Sequence, residues 1–142
     1  EYGTGTKITN EEFLELEVDV LILAALGSVV TEANEDKINA KYILELANGP
    51  VDSSAEAGLN ARGIQVVPDI LANAGGVIVS YLEWLQNLKN EHWPLAKVNN
   101  LLEEHLVAAT KDIAGRTIKD GSTLKEAAFV VATERIVSST KV

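Results

Sequence analysis

Ile64-Gln65-Val66-Val67-Pro68-Asp69-Ile70-Leu71-Ala72-Asn73-Ala74-Gly75-Gly76-Val77-Ile78-Val79-Ser80-Tyr81-Leu82-Glu83-Trp84 reads as the end of a buried strand, a turn and the start of a helix. The run Ile64–Val67 is β-branched and too short for an ordinary helix. In the turn, Gly75 and Gly76 let a flat ligand approach the main chain closely, because glycine has no side chain to hold it off. The same residues suit a plain helix start, with Asn73 as its cap. Pattern alone does not separate the two readings.

Upstream, two similar runs recur at a near-constant interval: Val18-Asp19-Val20-Leu21-Ile22-Leu23 and Lys41-Tyr42-Ile43-Leu44-Glu45-Leu46. Between the runs lie two helical patterns. Thr31–Ile38 opens on a capping Thr and an acidic first turn. Ser54–Gly63 closes on a glycine suited to the position after a helix. Strand, helix, strand, helix, strand at this spacing predicts right-handed parallel crossovers and an α/β sheet. Ahead of the first strand, Thr9-Asn10-Glu11-Glu12 is a capping box for a short helix.

Downstream the chain turns wholly helical. One helix is expected from about Asn73 to Leu88. Pro94 starts a second, in which Leu95, Val98, Leu102, Leu106, Ala109 and Ile113 form one stripe at steps of three and four. Arg116–Ser122 is expected to break that helix, punctuated by Gly115 and Gly121. A last helix, Thr123 to about Ser139, is apolar on nearly every side around Ala127–Ala132 and must be buried or lie at an interface. Parallel strands normally belong to larger sheets covered on both faces. About three strands with C-terminal helices therefore read as half of a doubly wound domain.

Composition narrows the class. A formal charge of −9 argues against binding a phosphate backbone, so no nucleic-acid partner is expected. No apolar run approaches the roughly 18 residues that span a bilayer, so no membrane partner is expected either. The chain has no cysteine, hence no disulfide, thiolate nucleophile or zinc-ribbon site. That fits a cytoplasmic protein. His92 and His105 lack metal-like spacing. The start, Glu1-Tyr2-Gly3-Thr4-Gly5-Thr6, has neither an initiator Met nor a signal-peptide pattern and is read as a cut end.

Ligands of open parallel sheets bind beyond the carboxyl ends of the strands. Three segments fall there: Ala24-Ala25-Leu26, Ala47-Asn48-Gly49-Pro50 and Pro68–Gly76. Asn48 and Asn73 each offer an acceptor and two donors, matching a carboxamide or a ribose hydroxyl, though each could equally turn or cap its own loop. Val77, Ser80 and Trp84 share one helix face. The Ser80 hydroxyl either back-bonds to a carbonyl one turn earlier or donates to a substrate carboxylate, with Val77 supporting the aliphatic stem.

Several segments, in order and spacing, resemble the glutamate/leucine/phenylalanine/valine dehydrogenase family. They are Ile8–Leu21, Ala47-Asn48-Gly49-Pro50, Pro68–Asn87 and Ala127-Ala128-Phe129-Val130-Val131-Ala132-Thr133-Glu134-Arg135. The run Ser80-Tyr81-x-Glu83-Trp84 is similar to the glutamate-type enzymes. The resemblance implies a partial Rossmann-like fold: residues 1–92 as the second half of a dinucleotide-binding domain, and 93–142 as a helical segment packing on it. It implies oxidative deamination of L-glutamate to 2-oxoglutarate and ammonia with NAD or NADP, in a homo-oligomer. Ala24 and Ala25 would line the dinucleotide cleft, and Asn48 and Asn73 would contact the nicotinamide-ribose end. Val77 and Ser80 would shape the substrate pocket.

The family's lysine, aspartate and Gly-x-Gly-x-x-Gly turn have no counterparts here, so no catalytic residue is assigned and the isolated chain is expected to be inactive. Leu23 stands where the family usually has Pro, and Leu46 where it often has Gly. Two other readings are a non-catalytic binding or assembly module that keeps the half-fold, and a flavodoxin-like domain. The latter fails to explain the helical tail and lacks an acidic or flavin loop.

Overall fold

The computed structural model describes residues 3–140; Glu1, Tyr2, Lys141 and Val142 lie outside the described residues, and with them the first two residues of the segment read as a cut end. Strands β1 (Val18–Leu23), β2 (Ala40–Glu45) and β3 (Gln65–Val67) form a parallel sheet in that order. The register sets Leu21 beside Ile43 and Ile43 beside Val66, and sets Leu23 beside Glu45. Successive side chains point to opposite faces, which splits the molecule into two cores. On one face Leu21, Leu23, Ile43 and Val66 pack with Val30, Ile38, Val51 and, from helix α2 (Ser53–Ala61), Ala55 and Leu59. On the other, Val67 packs against Leu71, Ile113, Ala127 and Ala128.

The second face is covered only near β3. Val20, Ile22 and Tyr42 remain nearly half exposed. The outer edge of β1 has no strand beside it among the described residues. The expectation of a sheet short of its neighbours is thus met at one particular place.

Helix α1 (Asn10–Leu14) carries the capping box foreseen: Glu12 N–H donates to Thr9 Oγ1, and Thr9 N–H donates to Glu12 Oε2. In contrast, Thr31–Ile38 does not form the expected α-helix; it holds a turn and a 3-10 segment at Glu35–Lys37. The cause is local competition. Asn34 accepts from Thr31 N–H at 2.8 Å and donates to the Val29 carbonyl at 3.0 Å, so the side chain replaces helical bonding. Val30 is also held in a parallel bridge to Val51. The first crossover therefore has no α-helix, only that 3-10 turn.

After β3 come a single turn, α3 (Asp69–Ala72), and α4 (Ala74–Lys89), followed by α5 (Leu95–Asp120) and α6 (Leu124–Ser139). The break expected from Arg116 does not occur: α5 runs through Gly115 and ends at Gly121, whose φ of 64° is left-handed. Arg116 holds that last turn by pairing with Asp120 one turn on and with Glu134 of α6. Helix α6 has its own capping box, Thr123 with Glu126. It buries Ala127 and Ala128, whereas Phe129 and Ile136 stay more than half exposed. Of the stripe on α5, only Ile113 is fully buried, and Leu95 at its start is 74% exposed. No helix is long and apolar enough to cross a membrane.

Candidate functional site

At the carboxyl ends of the strands the chain makes two tight departures that lock together. Leu46 and Ala47 both donate from their backbone N–H to the Leu23 carbonyl, at 2.9 and 2.8 Å. Further on, Ser28 N–H donates to the Gly49 carbonyl at 2.8 Å, and Val29 N–H to the Pro50 carbonyl at 2.9 Å. The first turn thus lies directly on the second. Gly27 makes this possible, since a Cβ there would stand 3.1 Å from the Asn48 carbonyl oxygen and 3.4 Å from that of Gly49.

The third turn is fastened by carboxylates. Asp69 Oδ2 accepts from Gly49 N–H at 2.9 Å. Glu45, at the end of β2, is fully buried; its Oε1 accepts from Val51 N–H at 3.2 Å and its Oε2 from Asp69 N–H at 3.0 Å. Burial pushes the Glu45 carboxyl above the ordinary glutamate value. The Asp69 and Val51 N–H groups and the Lys125 ammonium oppose that rise, while the Asp69 charge adds to it. Sequence reading passed over Glu45. A signal existed, because the period-2 alternation of a strand puts it on the same inward face as Ile43.

Above this framework Asn73 Nδ2 donates to Asn48 Oδ1 at 2.7 Å. Asn73 precedes α4, yet its side chain makes no capping bond. Its amide faces Asn48 instead. The two amides rim an open concavity of about 600 Å³, together with Ala25, Leu26, Gly27, Leu46 and Ala47. Of the residues singled out in the sequence, Ala25, Asn48 and Asn73 come together here. Ala24 lies next door, in an apolar cleft of about 160 Å³ shared with Phe13, Leu14, Ile22 and Ala25. Leu46, the bulky departure at this turn, forms part of the wall of the larger concavity and is 39% exposed.

Val77 and Ser80 line neither space. They follow Asn73 by four and seven residues, and so continue along the helix face that begins at the concavity. Val77 is 68% exposed and Ser80 is exposed. Unlike Thr110 and Thr133, which donate to carbonyls one turn earlier, Ser80 makes no side-chain hydrogen bond among the described residues. Tyr81 and Trp84 stack at a tilt on the same outward side, ring centres 5.9 Å apart.

Chemically, this is a shallow recess floored by backbone and small side chains, with paired amides at its rim. A flat ring and a ribose fit that donor set, whereas a pyrophosphate would need a glycine-rich turn that the recess lacks. Among the described residues no cluster of His, Cys, Asp and Glu could hold a metal ion.

Residues 1–142 match the family model described as Glutamate/Leucine/Phenylalanine/Valine dehydrogenase. The chain is 46% identical to a glutamate dehydrogenase of Thermotoga maritima over 140 residues, covering 99% of this chain and 34% of that protein. It is 47% identical to an NAD-specific glutamate dehydrogenase A of Halobacterium salinarum (94% of this chain, 31% of that protein). With an NADP-specific glutamate dehydrogenase of Synechocystis sp. it shares 42% identity (94% and 31%). It superposes on a hetero-hexameric glutamate dehydrogenase from Thermus thermophilus, solved in a Leu-bound form, with a TM-score of 0.89 at 32% identity, covering 94% of this chain and 32% of that one. The chain thus spans about a third of the length of the relatives it matches.

Proposed function

The chain belongs to the glutamate/leucine/phenylalanine/valine dehydrogenase family, and on that premise we propose that it forms cofactor and substrate walls of an NAD- or NADP-dependent glutamate dehydrogenase. The reaction is oxidative deamination of L-glutamate to 2-oxoglutarate and ammonia. Residues 1–92 serve as the second half of the dinucleotide domain, and residues 93–142 as the helical segment that packs on it. The known doubly wound order places strands four to six beyond strand one. The open edge of β1 and the uncovered Val20, Ile22 and Tyr42 match that junction.

The observation that carries the reading is the Asn48–Asn73 pair at the rim of the recess. Asn48 and Asn73 meet the nicotinamide-ribose end, and Ala24 and Ala25 leave room for the ring to lie against the backbone. When bound, the nicotinamide supplies the hydride acceptor. This chain's task is to hold the reacting partners in register, since positioning alone removes much of a bimolecular barrier. Val77 and Ser80 extend the wall toward substrate, the free Ser80 hydroxyl donating to the distal carboxylate. Proton-transfer groups come from outside this chain, which alone is inactive. The enzyme works as a homo-oligomer, and a cytoplasmic location goes with this reading.

The test is glutamate-dependent reduction of NAD or NADP by the whole enzyme that carries this chain, with this chain alone as a second sample. Turnover by the whole enzyme and none by the chain is expected. An inactive whole enzyme that binds neither cofactor would sink the proposal and favour a non-catalytic module, a reading to which Leu46 in the wall of the recess lends support.

A further inference from the structure

Apolar packing alone does not call for a carboxylate at Glu45. It is fully buried at a strand position whose inward neighbours are Leu23 and Ile43, and an apolar side chain there would join the same cluster. Burying a carboxylate costs folding free energy unless its oxygens are well satisfied. What the carboxylate does is join three segments. One oxygen receives Val51 N–H beyond the Asn48 turn, and the other receives Asp69 N–H at the start of α3, four residues before Asn73. Asp69 then returns to Gly49 N–H, next to Asn48. The loop of bonds closes directly beneath the two amides.

We infer that Glu45 is a positioning residue for the cofactor end of the site, its carboxylate tying the turn after β2 to the turn after β3 so that Asn48 and Asn73 stand in fixed register. This inference rests on the reading that those two amides contact the cofactor. Both oxygens must accept, because both partners are backbone donors. An ionised carboxylate is acceptor-only and meets that demand. A glutamine cannot, since whichever way its amide is turned, an NH₂ faces one of the N–H groups. The charged groups around Glu45 are Asp69 on α3 and Lys125 on α6, and Lys125 is itself paired at 3.2 Å with Glu56 of α2.

The experiment uses the whole enzyme carrying this chain and measures the dissociation constant for reduced NAD or NADP by fluorescence, together with the melting temperature. Variants are Glu45→Gln, Asn48→Ala, the double variant, and Ile43→Val as a core change on the same strand. Glu45→Gln is expected to weaken cofactor binding about tenfold, the scale of one lost bond to a charged group, while melting no lower than Ile43→Val. The double variant is expected to lose less than the product of the two single losses, because Glu45 acts partly through the Asn48 amide and partly through Asn73.

Unchanged binding in Glu45→Gln, or losses that multiply in the double variant, overturns the inference. If Asn48→Ala itself binds normally, the cofactor-contact reading fails and this inference falls with it. If Asn48→Ala weakens binding and Glu45→Gln does not, only this inference fails. Should Glu45→Gln not fold, Glu45→Met fills similar space and carries the same expectation for cofactor binding. A chain that folds with neither shows that the carboxylate serves folding, which also overturns the assignment.

Discussion

Asn73 Nδ2 donates to Asn48 Oδ1 across 2.7 Å, joining the turn after β2 to the N-terminus of α4. The bond occupies one of the donors of Asn73 and leaves the remaining polar atoms of both amides facing the recess. In the whole enzyme, Asn73→Ala is expected to raise the KM for the nicotinamide cofactor about tenfold, corresponding to roughly 1.4 kcal/mol. A KM that does not move, with a lowered melting temperature, would show that the pair only fastens two turns.

Ser80 is exposed and its hydroxyl is unbonded among the described residues, so its removal has little to disturb within the chain. Ser80→Ala should therefore leave stability unchanged and weaken use of glutamate more than that of norvaline. The lost bond to a charged group is worth about 1.5–3 kcal/mol, and norvaline has no distal carboxylate to lose it. Comparing kcat/KM for the two substrates decides the point. Equal losses would remove Ser80 from the substrate wall.

Gly27 lies against backbone that cannot step aside cheaply, with the Asn48 carbonyl 3.1 Å from where a Cβ would stand. Gly27→Ala is expected to destabilise the fold by about 1–3 kcal/mol, the usual cost of overpacking, and to weaken cofactor binding by pushing the Asn48 turn outward. Urea unfolding and a binding titration measure the two effects. A variant as stable as the parent would mean that the two turns slide apart freely.

The pH dependence of Glu45 has a definite sign. Its folded value lies above the ordinary 4.5, with burial as the leading cause. Below that ordinary value both states hold the proton and nothing changes. As pH rises from it through the raised folded value, the unfolded chain releases the proton first, so this group's contribution to stability falls. Above the folded value the full penalty remains. The stability of the parent relative to Glu45→Gln should therefore decline as pH rises above the ordinary glutamate value, and unfolding curves on both sides of that value test it. A difference that grows in the parent's favour would mean that the two N–H bonds and Lys125 outweigh burial.

Produced alone, the chain is expected to self-associate. The outer edge of β1 offers unpaired backbone groups, and Val20, Ile22 and Tyr42 beside it are 48%, 49% and 46% exposed. Repulsion from the net charge of −9 is screened beyond roughly 8 Å at physiological salt. Sedimentation at micromolar concentration should show dimers or larger species. A folded monomer with all three strands protected from hydrogen exchange would contradict this.

What was legible in the sequence follows from how local each signal is. The strand at Val18–Leu23 coincides with its apolar run, because alternating burial is written residue by residue. The capping box read at Thr9 joins partners three residues apart, and it formed; the one at Thr123, just as local, was passed over. The helix expected at Thr31–Ile38 failed because Asn34 bonds to Val29 and Thr31, and because Val30 is drawn to Val51, twenty-one residues on. The break expected after Gly115 failed because Arg116 reaches Glu134 on another helix. The turns bearing Asn48 and Asn73 could be placed beyond the strand ends from sequence, but not their mutual bond.

By itself, then, the sequence determined the parallel α/β half-sheet, the helical tail and the three turns where a ligand would lie, since periodicity, caps and glycines act over a few residues. Only the tertiary structure decided that Asn73 faces Asn48 rather than capping its helix, and that Glu45 is buried beneath them as an acceptor for two separate turns. Those outcomes depend on backbone N–H groups six and twenty-four residues from Glu45 and on a side-chain amide twenty-five residues from Asn48. Folding brings such groups together, and no local pattern records that they meet.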